Sequence, residues 1–212
     1  MRFEDQRARL VTELMAEGIS DKRVLDAFRR VPREDYVLPE YREYAYRNTP
    51  LPIELQQTIS QPLMIAIMMQ ILELTSEDTV LEVGTGSGYQ SALLAEIVKE
   101  VCTVERIDTL SLKAQRILKQ ASYRNVYFRI GDGWKGWQKA YPPYKDFPKI
   151  IVSAAAESIP EGLSNQLSEG GKMVIPVGKG NVQDLKLVQK VNGQISIHSC
   201  GGCTFVPLVR EE

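Results

Sequence analysis

The sequence predicts an α/β fold: a doubly wound, mostly parallel seven-stranded sheet with a C-terminal antiparallel hairpin and an N-terminal helical extension. Three observations carry this expectation. Short apolar runs alternate with helical runs from about residue 79 to residue 177. A glycine-dense turn, Gly84-Thr85-Gly86-Ser87-Gly88, joins the first of those strands to a helix. An Asn192-Gly193 pair separates two stretches that alternate with period two, which is a strong hairpin signal.

The extension comes first. Leu10, Val11, Leu14 and Met15 recur at helical spacing, and Gly18 marks a stop. Ser20 is the expected N-cap of a second helix carrying Val24, Leu25, Phe28 and Val31, which Pro32 ends. Residues 36 to 53 mix Tyr36, Tyr41, Tyr44 and Tyr46 with Pro39, Pro50 and Pro52, and read as a connector packed on the main domain. A helix is expected from Ser60, with Pro62 in its first turn and Met64, Ile65, Ile67, Met68, Ile71 and Leu72 on a broad core face. Strands follow at 79–83, 101–105, 126–130, 150–152 and 171–177, with helices at 89–98, 110–120 and 160–167. The hairpin strands are 185–191 and 194–198. Residues 1–212 read as a single domain, with a helical extension over 1–50 and an α/β core over 51–212.

Composition narrows the partners. The 212 residues include 26 basic and 27 acidic ones, so no excess of cations is available to displace nucleic-acid counterions. No nucleic-acid partner is expected. No apolar run reaches spanning length and no basic-then-apolar leader opens the chain, so neither a membrane partner nor export is expected. Three cysteines are too few and odd in number for a disulfide framework, which suits a cytoplasmic location. His198, Cys200 and Cys203 supply three of the four ligands that zinc wants, and Cys102 lies in a distant strand. The Cys-Gly-Gly-Cys run reads as a turn, and no metal is expected.

The glycine loop fits neither common nucleotide pattern. A dinucleotide fingerprint needs its third glycine at Tyr89 or Ser91, and no Gly-Lys-Ser or Gly-Lys-Thr follows. Glycine at every second position, with Glu82 just before it, resembles the first motif of S-adenosylmethionine methyltransferases. That resemblance implies cofactor contacts from Glu82, Gly84, Thr85, Gly86, Ser87 and Gly88. Glu105 ends the second strand, where a carboxylate can accept from both hydroxyls of a ribose. Gly131 and Asp132 follow the third strand, where Asp132 can accept from an adenine amino group. Strand carboxyl ends are where open α/β sheets bind ligands.

The segment Leu51-Pro52-Ile53-Glu54-Leu55-Gln56-Gln57-Thr58-Ile59-Ser60-Gln61-Pro62 is more specific. It resembles the active-site segment of protein-L-isoaspartate O-methyltransferases. The resemblance runs on through Val31-Pro32-Arg33-Glu34, Val104-Glu105-Arg106, Gly131-Asp132-Gly133-Trp134, Gly170-Gly171, Pro176-Val177-Gly178 and Phe205-Val206-Pro207-Leu208. It implies a Rossmann-like methyltransferase fold, S-adenosyl-L-methionine as cofactor and S-adenosyl-L-homocysteine as product. Ser60 would be the catalytic hydroxyl and a substrate contact, Gln57, Thr58 and Ile59 would line the cofactor side, and Val206, Pro207 and Leu208 would lie along the substrate backbone. The implied substrates are isoaspartyl-containing peptides and unfolded or aged proteins, whose methyl esters collapse to a succinimide and so begin repair.

Two departures from the family pattern stand out. Glu54-Leu55-Gln56 occupies a place where the family commonly has glycine, which is expected to reshape the substrate side. Phe147-Pro148 precedes the fourth strand, with Asp146 one place early. The implied chemistry asks little of the protein: a carboxylate with a pKa near ~4 is already ionised at neutral pH, so no general base is needed. The single histidine, His198, sits in the hairpin. Two rival readings remain, a methyltransferase acting on another carboxylate and a non-catalytic cofactor-binding relative, the latter supported by Glu54 alone.

Overall fold

The computed structural model describes residues 2–210. The extension contributes α1 (Phe3–Ala16) and α2 (Lys22–Arg30), followed by 3₁₀ turns at Arg33–Asp35 and Pro39–Tyr44. A short strap contains β1 (Leu51–Pro52) and β2 (Thr58–Ile59), and leads into α3 (Pro62–Leu72). The main body then runs β3 (Thr79–Val83), α4 (Tyr89–Ala95), β4 (Glu100–Glu105), α5 (Asp108–Gln120), β5 (Val126–Ile130), β6 (Phe147–Val152), α6 (Glu161–Asn165), β7 (Leu167–Val177), β8 (Gln183–Val191) and β9 (Gln194–Cys203).

The seven long strands form one sheet in the order β5-β4-β3-β6-β7-β8-β9. The first five are mutually parallel, while β8 is antiparallel to both β7 and β9. The central strands are apolar on both faces because both faces are covered. Val80, Val101, Ile151 and Val174 pack on one face with the extension and with α3, α4 and α5. Leu81, Val83, Val104, Ile150, Val152, Met173 and Ile175 pack on the other with Trp137 and Leu163. The chain leaves β3 toward β4 on one side and returns to β6 on the other. The loops after β3 and β6 therefore part, and a crevice opens at their carboxyl ends.

The strands expected at 79–83 and 126–130 form with those bounds, and several other elements shift for identifiable reasons. Asp21, not Ser20, caps α2: its carboxylate accepts from Arg23 N at 2.9 Å, while Ser20 N donates to Gln70 Oε1 at 2.7 Å. Met15 is exposed, because the buried stripe of α1 is Leu10, Val11 and Leu14. Helix α3 begins at Pro62, and Ser60 lies outside it. The side chain of Asn48 reaches across to accept from Leu63 N at 3.0 Å, so a distant residue satisfies part of that helix start. Strand β6 begins at Phe147, and its register shifts between Phe147 and Lys149. Pro148 sits in that irregularity, where a missing N–H costs no ladder bond. Helix α6 is short because Leu167 already belongs to β7. The Asn192-Gly193 turn forms with φ of 52° and 73°, the two left-handed positions of a type I′ hairpin. No helix among the described residues is long and apolar enough to cross a membrane.

Candidate active site

The strap and the glycine loop build the site together. Strands β1 and β2 pair antiparallel, Leu51 with Ile59 and Pro52 with Thr58, so residues 53–57 form a tight turn. Leu55 and Gln56 both take left-handed φ, 57° and 58°, without being glycine. Such conformations cost on the order of 1 kcal/mol or more each and need surrounding support. Ile53 N donates to Gln57 O at 2.9 Å across the turn. Glu54 pairs with Lys113, which anchors the strap to α5. The Ile53 side chain lies over Gly86, where an added Cβ would stand 3.7 Å from its Cδ1.

Below the strap, Gly84 turns out of β3 with φ of 95°, and its N–H donates to Val104 O at 2.8 Å. Thr85 and Thr103 hydroxyls meet at 2.6 Å. Glu105 closes the loop from β4: its two oxygens accept from Gly86 N and Ile107 N, both at 3.0 Å. Each carboxylate oxygen carries two lone pairs, so each keeps one acceptor site for a ligand. Adjacent hydroxyls are the natural occupants.

The segment at 206–208 is pinned to the loop after β6. Ala155 N donates to Val206 O at 2.8 Å, and Leu208 N returns a bond to Ala155 O at 2.7 Å. The Trp134 indole donates to Leu208 O at 2.9 Å.

These pieces surround one cleft of about 280 Å³. Of the residues expected from the sequence, Gln57, Thr58, Ile59, Ser60, Gly84, Thr85, Gly86, Ser87, Glu105, Val206, Pro207 and Leu208 line it. Four others stand behind it. Glu82 is fully buried beneath the loop, bonded to the Gln90 amide at 3.0 Å and to the Ser91 hydroxyl. Burial pushes its carboxyl up to about 7 against the opposing effect of those bonds. Gly88 starts α4 with its α-carbon against α5, where a side chain would meet Ala114 at 3.1 Å. Gly131 N donates to Glu105 O at 2.9 Å, a backbone link that holds β5 to β4. Asp132 is 2% exposed, accepts from Trp134 N at 2.9 Å and faces Lys135 Nζ at 3.5 Å.

Sequence reasoning missed several lining residues. Gln90 and Ser153 line the cleft at the switch point, with the Gln90 amide donating to Ser153 Oγ at 2.8 Å. Gly133 lines it too, and a Cβ there would fall 2.5 Å from Val83 Cγ1. The rule that ligands sit at strand carboxyl ends would have singled out Ser153, just past β6. Among the described residues, Arg106 is the one lining cation, and it follows Glu105 in the chain.

Comparison with known proteins bears on the family and the fold. Residues 5–212 match the family model described as protein-L-isoaspartate(D-aspartate) O-methyltransferase. A protein-L-isoaspartate O-methyltransferase of Dictyoglomus turgidum is 47% identical over 210 residues, covering 99% of this chain and 94% of that one. A solved protein-L-isoaspartate O-methyltransferase superposes with a TM-score of 0.84 at 27% identity, covering 95% of this chain and 65% of that longer one. A Plasmodium falciparum structure of the same description, in complex with S-adenosyl-L-homocysteine, also superposes with a TM-score of 0.84, at 26% identity over 96% of this chain and 98% of that one.

Proposed function

The chain belongs to the protein-L-isoaspartate(D-aspartate) O-methyltransferase family, and from that premise we propose how its cleft methylates the free carboxylate of L-isoaspartyl residues in damaged proteins. One observation carries the reading. The strap bearing Thr58, Ile59 and Ser60 folds over the glycine loop, so the hydroxyl and the ribose-reading Glu105 share one cleft with Val206, Pro207 and Leu208. When bound, S-adenosyl-L-methionine supplies a sulfonium methyl group, and as a carboxylate oxygen bonds the methyl carbon the breaking C–S pair stays on sulfur.

The protein's own work is to bind, orient and exclude water. Glu105 takes the ribose hydroxyls on the two lone pairs that Gly86 and Ile107 leave free. Gly84, Thr85, Gly86 and Ser87 form the floor, Gln57, Thr58 and Ile59 the roof. Ser60 donates to the substrate carboxylate and fixes its attack direction. Val206, Pro207 and Leu208 run beside the substrate backbone. Glu82, Gly88, Gly131 and Asp132 act from behind, keeping the loop and the strand ends in place. No proton moves in the transfer, because the attacking carboxylate is already ionised at neutral pH. Orientation of this kind can supply on the order of 7 kcal/mol or more of rate enhancement.

The ester product collapses to a succinimide without enzyme help, and hydrolysis returns some normal aspartate, so the chain begins a repair. The three free cysteines fit a reducing cytosol. Glu54, the feature that favoured a non-catalytic relative, points to Lys113 and does not line the cleft. The test is Ser60→Ala, measured for turnover on an isoaspartyl peptide and for S-adenosylhomocysteine affinity by calorimetry. Turnover should fall about tenfold or more, in the range expected for lost positioning, with affinity nearly kept. Unchanged turnover would remove Ser60 from the mechanism.

A further inference from the structure

The geometry points to Arg33 as a positioning residue for the reaction, a role that rests on the reading of Ser60 above. Arg33 has no exposed surface, and no carboxylate among the described residues pairs with it. Burial lowers its proton affinity to about 10, so it stays charged at neutral pH. A buried cation without a counter-ion has to be compensated by hydrogen bonds.

The compensation is a fan of backbone carbonyls. Nη1 donates to Ala45 O at 2.6 Å and Arg47 O at 3.3 Å. Nη2 donates to Thr49 O at 3.3 Å and Ser60 O at 3.0 Å. These four bonds use all four Nη hydrogens. The guanidinium also lies over the Tyr89 ring, 5.6 Å from its centroid. Tyr89 is the first residue of α4, directly after the glycine loop.

One side chain therefore ties three pieces together: the connector at 45–49, the strap at Ser60, and the helix that follows the cofactor loop. The carbonyl and the side chain of Ser60 share one α-carbon. Holding the carbonyl restrains the rotation of that residue and so the direction in which its hydroxyl enters the cleft. A misplacement of about 1 Å at a reacting group can cost about a hundredfold in rate. A lysine could keep the charge but not the planar fork that reaches four acceptors.

Turnover on an isoaspartyl peptide and calorimetric affinity for S-adenosylhomocysteine would be measured on R33K, R33M and Ser60→Ala. The expected result is a loss of kcat of about tenfold or more in R33M, and a smaller loss in R33K, with cofactor affinity within about twofold of normal. Unchanged kcat in R33M overturns the inference. A parallel loss of kcat and cofactor affinity also overturns it, because that marks a general support of the site through Tyr89 and not the aiming of Ser60. If the Arg33 variants do not fold, the α-hydroxy analogue of glutamine is placed at position 61. The resulting ester weakens the Ser60 carbonyl as an acceptor while leaving every side chain intact. A several-fold lower kcat with normal cofactor affinity supports the inference, and an unchanged kcat overturns it. Ser60→Ala separates the two readings. Normal turnover there removes the Ser60 role and this inference with it, whereas impaired Ser60→Ala beside normal R33M removes the inference alone.

Discussion

Glu82 and Glu105 illustrate how two like residues near strand ends come to different tasks. Glu105 ends β4 and lines the cleft with an open acceptor site on each oxygen. Glu105→Ala should weaken S-adenosylhomocysteine binding by about 1.5–3 kcal/mol, the worth of a charged hydrogen bond; unaltered calorimetric affinity would take it out of the site. Glu82 lies wholly beneath the loop, with its carboxyl pushed up to about 7 by burial, to which the nearby Glu105 adds and which its hydrogen bonds only partly offset. Its folded pKa exceeds the ordinary 4.5, so the folded state binds the proton more tightly. Stability from this group is present below about 4.5 and is lost as pH rises toward 7. Glu82→Gln should then be more stable than the parent at pH 8, by about 1 kcal/mol or more, with the two converging near pH 5. Denaturant curves at both pH values check this, and a constant difference would show that Glu82 is not the titrating group. The sequence marked both glutamates without separating the one that lines the cleft from the one beneath it. That depends on how Gln90 and Ser91, on the following helix, fold back over Glu82.

At the level of elements, legibility followed the length of the signal. The hairpin at Asn192-Gly193 was readable because the turn chemistry is local and its strands are long. The β1–β2 ladder was not, because two-residue strands carry no period to detect. Its tight turn accommodates Glu54 by sending the carboxylate to Lys113 on α5. Both partners are about a third or more exposed, at 34% and 40%, so solvent screens the pair. Lys113→Ala should therefore lower stability by no more than about 1 kcal/mol in thermal or denaturant unfolding. A much larger loss would mean that the strap depends on this pair rather than on Ile53 and the β1–β2 ladder. The cap at Asp21 and the role of Asn48 went unread for a related reason. Ser20 and Asp21 are equally good caps by type, and Asn48 acts 15 residues away from its partner. Arg33 was visible only as part of Val31-Pro32-Arg33-Glu34, since its four carbonyl partners come from separate turns and the strap.

For the molecule as a whole, the parallel strands and the reversal of order between β3 and β6 put the loops after β3, β4 and β6 together at the carboxyl ends of the strands. That arrangement is common to many methyltransferases and says little about substrate. The strap supplies the difference, because it brings Ser60 and the Val206–Leu208 segment to the same cleft as the glycine loop. The fold was legible from alternating apolar runs and turn residues, and part of the cleft lining from the glycine loop, Glu105 and the segments 57–60 and 206–208. Which of the expected residues line the cleft and which stand behind it was decided by side-chain packing. The most direct test gives the purified protein methyl-labelled S-adenosylmethionine and two peptides that differ only in isoaspartate or aspartate at one position. The account predicts base-labile label on the isoaspartyl peptide alone, whereas equal labelling of both, or of neither with cofactor binding intact, would contradict it.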